Sequence, residues 1–217
     1  MNRVVVEALR ATRTHVSECF ATSSFAAAAA AAAATPPPSP PTNVYARPPQ
    51  LVAVSKTKPI ELLISCYEEG QQRHFGENYV QEIIEKVPLM PMDTKWHFIG
   101  PIQTNKINNL INKTWPALSV IETVGTFKLA NKLEIAVARV MNDISLAPNA
   151  ARVEGPPREE PLDVLVQVNT SGESQKSGVE PGDEVIALAE HIQNEVRERK
   201  WWLCLITSFL FLFLIFL

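Results

Sequence analysis

From Leu51 onward, short apolar runs alternate with longer amphipathic segments, and no other feature of the chain constrains its fold as strongly. The runs are LVAVS (51–55), HF (74–75) leading into GEN, WHFI (96–99), LSVI (118–121) and DVLVQV (163–168). Runs this short read as strands, and helical stretches between them make repeated β-α units whose natural product is a parallel sheet. Pro59 suits the first turn of a helix over Ile60–Tyr67. Thr126 is placed to cap a helix in which Leu129, Leu133 and Val137 recur every four residues. A last helix, from Pro181 to about Lys200, keeps Val185, Leu188, Ile192 and Val196 in register, with acids early and RERK late to suit the macrodipole. Residues 142–161, with prolines at 148, 156, 157 and 161, read as a surface loop.

Upstream the pattern is different. Residues 2–18 place Val5, Leu9 and Val16 near helical spacing, so an amphipathic helix is expected there. Ala26–Ala34 is an unbroken alanine run followed by TPPPSPP and RPP, an extended solvated spacer with nothing to bury. The expected organisation is an N-terminal helix over 1–20, an Ala/Pro-rich insertion over 21–50, the β-α region over 51–200 and an apolar tail over 201–217. An organelle leader is the alternative for the start, since the first 24 residues carry Arg, Ser and Thr with only Glu7 and Glu18 as acids.

Charge and cysteine content exclude several classes of function. A net charge of -3 gives no global basic field, so nucleic acid is not an expected partner. Cys19, Cys66 and Cys204 are odd in number and widely separated, which fits reduced thiols in an intracellular protein. None lies in a CxxC or a Cys/His cluster with metal spacing, so neither a structural zinc nor a thiol redox site is expected.

The residue that carries chemistry is Lys56, which follows the run VAVS at the end where α/β sheets put their active sites. Partial desolvation there would keep some amine uncharged and nucleophilic toward an aldehyde. Position alone favours a plain solvated lysine at a strand end. Six ordered strings say more: LVAVSKTKP (51–59), FGENYVQE (75–82), WHFIG (96–100), IQTNK (102–106), IETV (121–124) and VNTSGESQKSG (168–178). In order and spacing they resemble the pyridoxal phosphate homeostasis family, whose barrel is similar to the alanine racemase N-terminal domain.

That resemblance implies an α/β fold, an incomplete pyridoxal 5′-phosphate-binding (β/α)8 TIM barrel with about five to six of its eight strands. It implies that Lys56 holds the cofactor as a Schiff base, with Lys58 its neighbour, and that Asn78 and His97 line the pyridine ring. No catalytic residue and no metal are implied. The role expected is a non-catalytic carrier in vitamin B6 homeostasis, cytoplasmic, with pyridoxal phosphate-dependent apo-enzymes as recipients; an amino-acid racemase is the alternative. Without the resemblance, His97 reads as a buried histidine satisfied by a hydrogen bond, and Glu77 as either a pocket acid or a salt-bridge partner. Asn169 opens a loop in which Gly172 and Gly178 permit tight turns, and Lys176 there reads either as an anion contact or as a solvated lysine.

The sequence departs from the family after residue 200. The family's later strands, which carry its phosphate contacts, have no counterpart beyond a loose echo at 203–207 (LCLIT). Trp201–Leu217 is uncharged, at the lower limit of a bilayer-spanning length, so a membrane tether through 201–217 is an alternative to a divergent transcript end.

Overall fold

The apolar runs become parallel strands and the amphipathic stretches become helices in a computed structural model that describes residues 2–21, 50–146, 161–173, 175–196, 203–205 and 213–216. The Ala/Pro-rich segment up to Pro49, most of the loop before Pro161 and the RERK end of the last helix lie outside the described residues. The elements are α1 (Asn2–Ala21), β1 (Leu51–Val54), α2 (Ile60–Glu68), β2 (His74–Glu77), α3 (Val80–Lys86), β3 (Lys95–Phe98), α4 (Ile107–Thr114), β4 (Leu118–Val124), α5 (Phe127–Leu146), β5 (Leu162–Val166), α6 (Asp183–Glu190), β6 (Leu203–Leu205) and β7 (Phe213–Phe216). They divide into two units, Met1–His74 with Ile206–Leu217, and Phe75–Leu205.

In the first unit every residue of β1 is buried, as a strand covered on both faces requires. β7 pairs with it in parallel, Leu51 opposite Phe213 and Val54 opposite Phe216. Helix α1 packs on α2 through Val6, Leu9 and Val16, with Leu62, Leu63 and Cys66 buried on α2. Val6 is buried and Val5, the expected position, is half-buried. Arg13 ties the helix to the chain beyond α2, donating to the Gly70 carbonyl at 2.8 Å and to Gln72 Oε1 at 2.5 Å. Gln72, itself buried, donates to the Leu51 carbonyl at 2.9 Å and so anchors that segment to β1. Pro59 sits at the N-cap of α2, one position before the helical turn expected for it.

In the second unit, strands β2 to β6 stand side by side in chain order, and the pairs β3–β4, β4–β5 and β5–β6 are parallel. Sequential order matters. With the right-handed crossovers such connections adopt, it keeps every helix on one side of the sheet, as in a (β/α) barrel; a doubly wound fold reverses direction midway. The covered face carries Trp96, Phe98 and Ile121, all fully buried, with the Phe75 and Trp96 rings 6.0 Å apart. Against such a face α4 buries Ile107, Leu110 and Ile111, and α5 buries Leu129, Leu133, Val137 and Val140. Thr126 caps α5 as expected, its Oγ1 accepting from the Leu129 amide at 3.1 Å.

Several boundaries differ from the sequence reading. β4 runs to Val124, three residues beyond the expected end, because Glu122 and Thr123 find side-chain partners that let polar residues stay in the strand. β5 stops at Val166, since Val168 forms its bridge with Val179 instead. The last helix starts at Asp183, with Gly182 at its N-cap at φ 118°, and continues past Glu190 as a π-helical stretch, His191–Val196. Within the apolar tail, residues 203–205 and 213–216 are strands, and among the described residues no helix is long and apolar enough to cross a membrane.

Candidate functional site

Lys56 lies one residue past Ser55 at the C-terminal end of β1, in a tight turn closed by the Lys58 amide on the Ser55 carbonyl at 3.1 Å. Ser55 is fully buried and Lys56 half-buried. The turn is strained: Thr57, a β-branched residue, is held at φ 62°. A β-branched residue at positive φ costs on the order of 1–3 kcal/mol and persists only where the surroundings enforce it, a pattern that concentrates at ligand sites. These are the surroundings of Lys56 within the first unit.

In the second unit the C-terminal ends of β2, β3 and β4 are laced together. The Ile99 amide donates to the Glu77 carbonyl at 2.9 Å, and Thr123 Oγ1 donates to the Gly100 carbonyl at 2.6 Å. Gly100 lies so close to the residue after β2 that a Cβ there would stand 2.1 Å from the Asn78 carbonyl oxygen. Only glycine allows that approach. Asn78, just past β2, and His97, on β3, are thus brought to one edge of one sheet, and strand alternation turns His97 away from the face that carries Trp96.

His97 is buried, 1% exposed, and its Nδ1 lies 2.8 Å from Glu122 Oε1 on β4. Its strand register pairs it with Val120, and Glu122 lies two residues on, on the same face. Glu77 has the opposite environment. It is fully buried on the helix-covered side, where Lys86 Nζ of α3 donates to it at 2.7 Å and to Glu82 at 2.8 Å. Of the two readings open for Glu77, the geometry selects the salt bridge.

The loop after β5 completes this edge. Asn169 is buried at 4% exposure and organises the turn, donating through Nδ2 to the Glu173 carbonyl at 3.0 Å and accepting from Ser171 Oγ at 3.0 Å. Gly172 (φ 68°) and Gly178 (φ 127°) take the left-handed conformations expected of them. Lys176 pairs with Glu173 at 2.7 Å, both side chains well exposed. Between this loop and the ends of β3 and β4 lies an open depression of about 310 Å³, lined by Ile99, Pro101, Thr123, Gln167, Asn169 and Lys176 among others.

Two partners went unread in the sequence, Glu122 for His97 and Lys86 for Glu77. Extending the fourth strand beyond Ile121 would have placed Glu122 beside His97; Lys86, on the next helix, carried no sequence signal. What the edge offers chemically is a set of amide, hydroxyl and imidazole groups at the end of a parallel sheet, where α/β folds receive ligands.

No protein-family model matches the chain. Among curated proteins it is 43% identical over 158 residues to the pyridoxal phosphate homeostasis protein of Mus musculus, covering 70% of this chain and 50% of that one. It is 44% identical over 155 residues to that of Caenorhabditis elegans, covering 70% and 56%. Among solved structures, PipY of Synechococcus elongatus PCC7942 without PLP superposes with a TM-score of 0.53 at 24% identity, over 81% of this chain and 65% of PipY, a likeness of fold. The chain spans about half the length of the curated relatives it matches. Over that half it is a sequence relative of the pyridoxal phosphate homeostasis proteins.

Proposed function

We propose that the chain binds pyridoxal 5′-phosphate reversibly through Lys56 and serves as a non-catalytic carrier of the cofactor. The observation that supports this most directly is the 43–44% identity to proteins named for pyridoxal phosphate homeostasis, joined to a half-buried amine at the C-terminal end of β1. Within the first unit, Lys56 stands half-buried in a turn past the C-terminal end of β1 and would hold the group there; Asn78 and His97, in the second unit, keep the ring-lining role that the resemblance implies. When bound, the cofactor would supply an aldehyde carbon, and Lys56 would hold it reversibly through its side-chain amine. Asn78 and His97 orient and do not turn over a substrate in this reading. Recipients are apo-enzymes that use the same cofactor, in the cytoplasm, the compartment that three unclustered thiols suit.

The test is spectroscopic. Pyridoxal 5′-phosphate added to the purified chain is expected to give a new near-ultraviolet to visible band, and borohydride should fix a pyridoxyl label on the peptide containing Lys56. Lys56→Ala should lose both and Lys58→Ala should keep both. Equal labelling of wild type and Lys56→Ala in folded preparations would overturn the assignment.

A further inference from the structure

Three guanidinium groups of the first unit converge on the stretch of chain that leaves α2. Arg10 donates to the Glu69 carbonyl. Arg13, three residues on along the same face of α1, donates to the Gly70 carbonyl at 2.8 Å and to Gln72 Oε1 at 2.5 Å. Arg73 lies over the Tyr67 ring at 3.9 Å and donates to the Tyr67 carbonyl at 2.9 Å. Gln72 in turn donates to the carbonyl of Leu51, the first residue of β1, so the cluster stands at the opposite end of that strand from Lys56. The turn it surrounds is fixed: Gln71 is held at φ 52°, and a Cβ on Gly70 would stand 2.5 Å from the Cys66 carbonyl oxygen.

The carbonyls at the end of α2 account for part of this positive charge. A helix C-terminus offers about half a negative charge, and the Glu69 carboxylate is near enough to act on Cys66. Three guanidinium ions exceed that. Among the described residues neither Arg10 nor Arg13 forms an ion pair. The arginines instead repel one another: burial, then the charges of Arg73 and Arg10, hold the Arg13 guanidinium below its ordinary value. Donors are also left over, since a guanidinium carries five N–H groups, of which Arg10 uses one and Arg13 two. Arg10 is exposed and Arg13 half-buried, so an anion can reach them from solvent.

We propose that Arg10 and Arg13, with Arg73 adding its charge, form a binding site for a phosphate group, separate from the Lys56 turn and independent of the carrier reading. A tetrahedral dianion matches the need on both counts, because it neutralises the excess charge and accepts from several N–H groups in the fork geometry of arginine. Free phosphate and an organic phosphate monoester share that chemistry.

The test is a titration of the purified full chain at constant ionic strength, phosphate replacing chloride, followed through the arginine Nε–Hε resonances. The signals of Arg10 and Arg13 are assigned by their loss in Arg10→Gln and Arg13→Gln. Both are expected to shift saturably with inorganic phosphate at millimolar concentration and to stay put when chloride alone is varied. Arg10→Gln changes an exposed side chain and should weaken binding roughly tenfold, as the loss of one charge-assisted contact implies; Arg10→Lys, which keeps the charge without the fork, should recover part of it. Tighter saturation by glycerol phosphate than by inorganic phosphate assigns an organic phosphate, and the reverse assigns the free ion. A wild-type titration without saturation overturns the proposal whether or not the variants fold, and so does unchanged affinity in Arg10→Gln. Lys56→Ala should titrate as wild type does. Loss of phosphate binding in that variant would move the anion to the strand-end amine, sinking the arginine site and leaving the carrier reading standing.

Discussion

Removing the ammonium of Lys86 should cost far more stability than removing the whole ion pair of which it is part. Lys86 Nζ stands 2.7 Å from Glu77 Oε1, with side chains 10% and 0% exposed. At that distance and an effective dielectric near 20, the gross attraction is about 6 kcal/mol. Desolvation costs several kcal/mol per ion, so the net worth of the intact pair is close to nothing. Lys86→Met abolishes the attraction and leaves a carboxylate in a fully buried site, and the expected loss is about 3–5 kcal/mol. With a urea dependence near 2 kcal/mol/M, the unfolding midpoint should fall by about 2 M. The double variant Glu77→Leu/Lys86→Met replaces both charges with apolar groups and should recover most of that loss, since Glu82 is part-exposed and can turn to water. Urea unfolding followed by tryptophan fluorescence on the four-member mutant cycle measures this. The reasoning fails if Lys86→Met loses less than about 1 kcal/mol, or if the double variant is as unstable as the two single losses added together.

Two further outcomes are expected. Burial pushes the Cys66 thiol up to about 11 from an ordinary value of 9.0, with the Glu69 charge adding to the effect. The folded chain therefore holds the proton more tightly than the unfolded one, so stability is full below pH 9.0 and falls as pH rises from 9.0 to about 11. Urea midpoints across that window should drop in wild type and stay flatter in Cys66→Ala. Gly100→Ala would drive a methyl to 2.1 Å from the Asn78 carbonyl oxygen, a backbone atom that cannot swing aside as a flexible side chain could. It should cost at least about 1–3 kcal/mol by overpacking, read as a lowered urea midpoint, and on the carrier reading it should weaken pyridoxal 5′-phosphate binding.

The kinship of the chain was carried by short strings at strand ends, and the structure explains why those strings were legible. In a β-α unit the residues just past each strand are fixed by backbone approach as well as by side-chain chemistry, so GEN, WHFIG and VNTSG appear as compact words. Gly100 shows the constraint directly, since the Asn78 carbonyl leaves no room for a Cβ. The helix cap at Thr126 and the Leu129–Leu133–Val137 face were equally plain, because both depend on residues within one or two turns of each other. Strand ends were less legible. The fourth strand was read as stopping where its apolar residues stop, yet Glu122 and Thr123 remain in it through bonds to His97 and Gly100, 25 and 23 residues away.

Local pattern by itself determined the parallel α/β class, the position of Lys56 at a strand end and the separation of an Ala/Pro-rich stretch from the β-α region, since periodicity, proline and short-range caps act over a few residues. Only the tertiary structure decided that Glu77 faces a lysine and not a ligand, that His97 is paired with Glu122, and that Asn169 is a buried organiser of its loop. Each of those outcomes depends on which face of the sheet a residue meets and on what a neighbouring strand, helix or turn brings there. Pairing of this kind is a consequence of packing, and no window along the chain contains it.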